Sequence, residues 1–221
     1  MRSVIAIVDY GMGNLRSVAK ALEHVAQPGQ QVVVTSEAAV INAAERIVFP
    51  GQGAARDCML QLETLRLTDV LKQAAAEKPF LGICMGMQVL LTHTEENQGV
   101  DCLNLFSGEV RIFTAEKNRV AMQGLKIPHM GWNNVAQTQP HPLWQGISDN
   151  SRFYFVHSYY ADPEQAAIVA GKTRYGIDFV SVIAQDNVFA TQFHPEKSAH
   201  DGLQLLSNFT QWDGSSQANL T

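Results

Sequence analysis

Cysteine is scarce in this sequence, and basic residues do not outnumber acidic ones. The 221 residues include only three cysteines, Cys58, Cys84 and Cys102, and none of them forms a C-x-x-C pair. Three cysteines cannot all pair, so a disulfide framework and a thiolate zinc site are both disfavoured. We therefore expect a reducing compartment, the cytoplasm. The formal net charge of −5 argues against a nucleic-acid-binding protein, which usually presents a basic face.

Long hydrophobic runs are missing as well. The apolar run at residues 4–8 is shorter than a signal-peptide core or a membrane span, so we predict no membrane association. The histidines show no H-x-x-x-H or comparable spacing, and no metal site is predicted. With 46% hydrophobic and 17% charged residues, the composition is typical of a globular protein.

The chain changes character near residue 99. Before it, apolar β-branched runs alternate with helical patterns, which predicts parallel βαβ units and an α/β domain. After it, short strands follow one another, with a hairpin turn at residues 186–187 and a final helix at 199–211 that Ser198 and Asp201 open like a capping box. We predict one domain over residues 1–212 and a polar tail over 213–221. The predicted strands are 4–8, 31–35, 46–49, 80–83, 110–113, 153–156, 167–170, 180–184 and 188–192.

A cysteine stands where an apolar strand meets a helix. Residues 80–88 read F-L-G-I-C-M-G-M-Q, which places Cys84 between Gly82 and Gly86 in a strand–nucleophile–helix elbow. The turn is too tight for side chains at the two glycines. It places the thiol at the start of a helix, predicted over residues 85–92, where the helix dipole favours a thiolate. The amide of Met85 would face a developing oxyanion. We assign Cys84 as the nucleophile, and Cys58 and Cys102 as packing residues.

A base with its own orienting group follows the last strand. Residues 188–196 read V-F-A-T-Q-F-H-P-E, so Glu196 lies two residues beyond His194, on the same side of an extended segment. A thiol nucleophile needs such a base, and a third group fixes its tautomer. A second oxyanion donor is predicted in the turn of Gly51, Gln52 and Gly53. The glycine-rich turn at residues 11–14 lacks the third glycine of a dinucleotide-binding fingerprint.

These motifs resemble those of the class I (triad) glutamine amidotransferases. Within that family, the sequence is most similar to the glutaminase subunits of histidine biosynthesis. One departure is Gln52, where the family often has a small apolar residue. Because the backbone makes the contact there, the departure puts little in doubt. The motifs that carry the resemblance are G-I-C-M-G-M-Q at 82–88, F-H-P-E at 193–196, P-G-Q-G at 50–53, D-Y-G-M-G-N-L at 9–15, P-H-M-G-W-N at 128–133, F-V-H-S-Y at 155–159 and H-P-E-K-S at 194–198.

The resemblance implies a fold and a reaction. The fold is flavodoxin-like α/β: an open mixed, mainly parallel sheet with helices on both faces and a mixed, antiparallel second half. The reaction is hydrolysis of L-glutamine without a cofactor or metal, with Cys84, His194 and Glu196 as the triad. The ammonia passes to a (β/α)8-barrel cyclase subunit in a heterodimer. The implied oxyanion residues are Gly51, Gln52, Gly53 and Met85; the implied substrate-binding residues are Gln88, Glu96, His157, Ser158 and Tyr159; the implied partner-facing residues are Asn14, Trp132, Tyr154 and Lys197.

Three alternatives stay open from the sequence. The chain would be the glutaminase of another pathway, such as pyridoxal phosphate or aminobenzoate/anthranilate synthesis, if it associates with another synthase. It would be a non-catalytic binding module if Cys84 is dispensable. A thiol hydrolase or peptidase on a similar fold would have no use for Gln88 or for the segment at residues 128–133.

Overall fold

The computed structural model describes residues 3–215. The strands, numbered β1 to β14 in chain order, are Ser3–Val8, Gln30–Thr35, Arg46–Gly51, Phe80–Cys84, His93–Thr94, Val100–Asp101, Gly108–Ile112, His129–Asn134, Ala136–Gln137, Arg152–His157, Tyr159–Pro163, Val169–Tyr175, Ile177–Gln185 and Val188–Thr191. The helices, α1 to α6, are Leu15–Val25, Ala38–Ala43, Ala55–Thr64, Thr68–Glu77, Met85–Gln88 and Ala199–Gln211. No helix within the described residues has the length and apolar character needed to cross a membrane.

Five parallel strands form the half of the main sheet that carries the candidate site. Their order is β2-β1-β3-β4-β14. Strands β3, β4 and β14 are almost wholly buried, as expected of parallel strands covered on both faces, which read as continuous apolar runs. Because parallel strands end at the same edge, Gly51 at the end of β3 lies in register with Cys84 at the end of β4.

The rest of the sheet is mixed. Strand β14 pairs with β4 in parallel on one side and with β13 in antiparallel on the other, through the hairpin predicted at residues 186–187. Beyond β13 the order continues through β11, β7, β5 and β6, while β12 also pairs with β13 and with β9. Strands β8 and β10 form a separate antiparallel ribbon. The predicted open, mixed α/β sheet is confirmed.

Helices cover both faces of the sheet. One face packs against α1 and α6 through side chains such as Leu22 and Phe209. The other packs against α2, α3 and α4 through side chains such as Ile41, Leu62 and Leu71. The prediction of helices on both faces is thus confirmed, and the carboxyl edge of the parallel strands lies between the two layers.

Some local predictions are wrong. The helix predicted over residues 85–92 ends at Gln88, because the following residues turn and hydrogen-bond to the segment at 103–106. Ser198 does not cap α6, since its hydroxyl donates to His194 O and accepts from Tyr154 N. The predictions missed β8 and β11 in particular. Of the predicted polar tail, residues 216–221 lie outside the described residues.

Candidate active site

The backbone at Cys84 has the strained conformation that is typical of a strand–nucleophile–helix elbow. Its φ is 56° and its ψ is −108°, which places a non-glycine residue outside the favoured regions, directly before α5. The side chain is buried and lines a cavity. Strain of this kind persists only where the surrounding structure imposes it, and here β4 and α5 fix the chain on both sides.

The glycines of the elbow are required by close packing. A Cβ atom on Gly86 would overlap the Phe49 carbonyl oxygen, and one on Gly82 would lie 2.8 Å from Gly86 O. A Cβ on Gly51 would lie 2.7 Å from Met85 Cβ. The backbone of the 51–53 turn therefore lies directly against Met85, whose amide is the other predicted oxyanion donor.

His194 follows β14, the strand next to β4, and three contacts hold its segment. Its Nδ1 lies 2.9 Å from Glu196 Oε1, and both side chains are almost fully buried. Its backbone N–H donates to Tyr154 O over 2.9 Å. The Ser198 hydroxyl donates to His194 O over 2.6 Å. Cys84 and His194 line the same cavity and interact with each other, so the structure brings Cys84, His194 and Glu196 together, although the first two lie 110 positions apart in sequence.

The charge state of His194 follows from its neighbours. Burial alone would lower the pKa of its imidazole, but the negative charge of Cys84 and then that of Glu196 outweigh burial and raise the pKa to about 10. At neutral pH the imidazole of His194 is therefore protonated. A titratable side chain with a strongly shifted pKa that lines a cavity, as His194 does, is a typical mark of a catalytic site.

The cavity beside Cys84 has a volume of about 680 Å³, large enough for an amino acid. Most predicted site residues line it: Gln52, Gly53, Cys84, Met85, Gln88, Glu96, His157, Ser158, Tyr159, His194 and Lys197. Gly51 is buried next to Met85, and Glu196 is hydrogen-bonded to His194.

Glu96 and Gln88 present polar groups to the cavity. One carboxylate oxygen of Glu96 accepts from Ala55 N over 2.7 Å, at the start of α3. Burial raises the pKa of Glu96, and this bond opposes the rise. The Gln88 amide nitrogen donates to Tyr159 O and to Gln192 Oε1, over 3.0 and 2.9 Å. The cavity is thus lined by a carboxylate and by a fixed amide.

Three of the four predicted partner-facing residues form a surface cluster beside the cavity. Trp132 on β8 pairs with Tyr154 on β10, their rings 6.3 Å apart, and Lys197 Nζ lies 5.8 Å from the Tyr154 ring centroid. Trp132 remains 44% exposed. Asn14 lies directly before α1, which contacts the turn that contains Lys197. The cluster adjoins His194, to which Tyr154 is hydrogen-bonded.

Sequence reasoning missed two parts of the site. Gln192, wholly buried, places its amide nitrogen 3.7 Å from Cys84 Sγ. Its position between β14 and His194 was visible, but nothing in the sequence shows that its side chain turns toward the thiol. Gly11, Met12 and Gly13 also line the cavity. Their place after β1, at the same edge as Cys84, was the available indication. Within residues 3–215, no three His, Cys, Asp or Glu side chains are grouped to hold a metal ion.

Comparisons with known proteins agree on one family. A family model described as glutamine amidotransferase class-I matches residues 6–212. Two relatives are named imidazole glycerol phosphate synthase subunit HisH. The one from Hydrogenovibrio crunogenus is 54% identical over 213 residues, 96% of this chain and 98% of that protein. The one from Aromatoleum aromaticum is 58% identical over 212 residues, 95% and 99% of the two chains.

Solved structures share the fold at low sequence identity. A crystal structure of a protein named glutamine amidotransferase has a TM-score of 0.67 at 16% identity, covering 93% of this chain and 97% of that one. PurLQS from Thermotoga maritima has a TM-score of 0.66 at 16% identity, covering 96% and 99%. At this identity the likeness concerns the fold alone.

Proposed function

The chain belongs to the class-I glutamine amidotransferases, and from that premise we propose that it acts as the glutaminase subunit of imidazole glycerol phosphate synthase in histidine biosynthesis. It hydrolyses L-glutamine to glutamate and ammonia, and a cyclase subunit uses the ammonia to make imidazole glycerol phosphate and AICAR. The observation that carries the proposal is a strained cysteine beside a protonated imidazole, at the edge of a cavity of amino-acid size. Residues 1–212 form its one amidotransferase domain, and the protein acts in the cytoplasm.

The first half of the reaction forms a thioester. The Cys84 thiolate attacks the carboxamide carbon of glutamine, and the oxygen that becomes negative accepts hydrogen bonds from the amides of Met85 and the 51–53 turn. When the C–N bond breaks, His194 gives its proton to the departing nitrogen, which leaves as ammonia. Glu196 holds Nδ1 of the imidazole, so that the proton transferred is the one on Nε2.

The second half returns the enzyme to its starting state. The neutral His194 now takes a proton from water, whose oxygen attacks the thioester carbon. The C–S bond breaks, glutamate leaves, and the thiolate again faces a protonated imidazole. The raised pKa of His194 supports this cycle, because an imidazole beside a thiolate retains the proton that the first half requires.

The cavity supports recognition of a free amino acid. Glu96 presents a carboxylate, which suits the α-ammonium group of glutamine, and Gln88 presents its amide oxygen. Ser158 and Tyr159 line the cavity as well. His157 contributes its backbone, since both of its ring nitrogens have partners within the protein.

The exposed aromatic surface supports a partner beside the site. Trp132, Tyr154 and Lys197 contact a (β/α)8-barrel cyclase subunit in a heterodimer, and Asn14 contributes to the same face. Aromatic residues are enriched at the core of such interfaces. The isolated chain hydrolyses glutamine slowly, and docking of the cyclase raises the rate.

Glutamate release from glutamine tests the activity. We expect a cyclase subunit from a relative to co-purify with the chain and to raise its glutamate production, and Cys84→Ala to abolish it. A glutamine-mimicking electrophile should label Cys84, with protection by glutamine. Ammonia production by Cys84→Ala at the wild-type rate would refute the nucleophile assignment. Equal rates for the free chain and the complex would refute activation by the partner.

A further inference from the structure

Two buried imidazoles form a directional hydrogen-bond chain beside the cavity. His157 Nδ1 lies 2.7 Å from Tyr159 O, and a carbonyl only accepts, so Nδ1 carries the proton. His157 Nε2 then accepts from His129 Nδ1 over 2.9 Å. His129 Nε2 in turn accepts from the Asn133 amide nitrogen over 3.2 Å. Each imidazole thus donates from Nδ1 and accepts at Nε2.

Both imidazoles are neutral, which this pattern requires. Burial lowers the pKa of His129 to about 4 and that of His157 to about 3. The ring of His129 is stacked between Phe155 and Tyr175, with ring centroids 4.9 and 4.1 Å away. The charge and the ring orientation of these hydrogen-bonded imidazoles are therefore fixed.

The Tyr159 carbonyl is also connected to Cys84 through the side chains of Gln88 and Gln192. Tyr159 O also accepts from Gln88 Nε2, whose second N–H is donated to Gln192 Oε1. The Gln192 amide nitrogen lies 3.7 Å from Cys84 Sγ. With both N–H groups of Gln88 engaged, its Oε1 remains as a hydrogen-bond acceptor at the cavity.

We propose that His129 and His157 are positioning residues that hold the Tyr159 carbonyl in the orientation that turns the Gln88 amide oxygen toward the substrate. The proposal rests on the proposed function. It adds that the site selects a substrate that donates an N–H to Gln88 Oε1, as the ammonium or carboxamide group of glutamine does. A substrate that presents only acceptors there would meet an unpaired oxygen, which is costly when buried.

A pair of His129 variants separates positioning from packing. His129→Phe keeps the stacked ring and removes both hydrogen bonds, whereas His129→Asn keeps an amide N–H where Nδ1 stands. Labelling of Cys84 is then compared between a glutamine-mimicking chloroketone and iodoacetamide, which does not need the substrate pocket. His141→Phe is the matched control, because His141 is also buried among aromatic rings but takes no part in the hydrogen bonds of His129 and His157.

We expect His129→Phe to slow chloroketone labelling about tenfold, the loss typical of one hydrogen bond, and to leave iodoacetamide labelling unchanged. His129→Asn should restore the chloroketone rate to within about threefold of wild type, and the control should change neither rate. The proposal is overturned if both reagents slow equally, if neither slows, or if the asparagine variant labels as slowly as the phenylalanine variant.

Nitrogen-15 NMR of the wild-type chain tests the same proposal without a variant. We expect His129 and His157 to be in the Nδ1–H tautomer at pH 7; a charged ring or the Nε2–H tautomer at either position would overturn it. These outcomes are distinct from failure of the proposed function. If glutamine does not protect the wild-type Cys84 from the chloroketone, the glutaminase assignment fails. The tautomers of His129 and His157 would still show whether the two imidazoles form the hydrogen bonds described here.

Discussion

The strain energy of the backbone at Cys84 can be measured as the difference in the free energy of unfolding between the Cys84→Gly and Cys84→Ala variants. Glycine adopts φ 56° and ψ −108° without the steric conflict that a Cβ creates, so Cys84→Gly releases strain that Cys84→Ala retains. Such strain is worth about 1–3 kcal/mol. Cys58 provides the matched pair, since it is also a buried cysteine but lies inside α3 with ordinary helical geometry.

The expected values follow from the two environments. At Cys58, going from alanine to glycine removes a buried methyl worth about 0.8 kcal/mol and adds a helix penalty of about 1 kcal/mol, a loss of about 2 kcal/mol in all. At Cys84 the methyl loss remains, and the freedom of glycine in the unfolded chain costs about 0.4–1 kcal/mol. Released strain of about 1–3 kcal/mol offsets these losses. Going from alanine to glycine at Cys84 should therefore change the free energy of unfolding by between a loss of about 0.8 kcal/mol and a gain of about 1.8 kcal/mol.

Thermal and urea unfolding of the four variants would give the answer. At about 2–4 °C per kcal/mol for a chain of this size, the glycine variant at Cys58 should melt about 4–8 °C below its alanine partner. At Cys84 the two should melt within about 3 °C of each other, or the glycine variant should melt higher. An equal loss at both positions would mean that the elbow stores no strain.

Three further predictions concern the site and the core. Glu196→Gln should lower kcat by about 10²-fold and move the alkaline limb of the pH–rate profile to lower pH, because the carboxylate helps to raise the pKa of His194; an unmoved limb would contradict this. Gly86→Ala should cost more than about 3 kcal/mol, because the new Cβ overlaps the Phe49 carbonyl, whereas Gly29→Ala, with open space around it, should cost about 1–2 kcal/mol; urea unfolding compares them. Burial keeps three imidazoles uncharged in the fold, those of His129, His141 and His157, and each takes up a proton more readily when the protein is unfolded. Stability should therefore fall as the pH drops from about 6.5 towards 3. A free energy of unfolding that is constant over this range would show that burial does not oppose their protonation.

The sequence predicted well what local rules control. The apolar run before Cys84 and the flanking glycines identify an elbow, because only a tight turn needs glycine two residues on either side of a nucleophile. The short distance between His194 and Glu196 along the chain made their contact predictable as well. In the parallel half, continuous apolar runs separated by helical patterns indicated the alternation of strands and helices.

Contacts between distant segments could not be predicted in the same way. Gln192 reaches Cys84 only because β14 pairs with β4, a register that no local pattern encodes. The short helix after Cys84 illustrates the same limit. Its apolar continuation through Leu91 has helical spacing, but hydrogen bonds to residues 103–106 compete with the helix and end it at Gln88. Ser198 has the sequence of a cap, yet its hydroxyl binds His194 instead.

The place of β14 in the sheet also bears on how the protein is made. Of the strands described, the one that leads to His194 is the last to be synthesised, and it inserts between β4 and β13, both of which are already present. Until it does so, the nascent chain carries the thiol without its base. Pairing of β14 with β4 therefore completes the central sheet and, in the same step, brings His194 to the edge at which Cys84 lies.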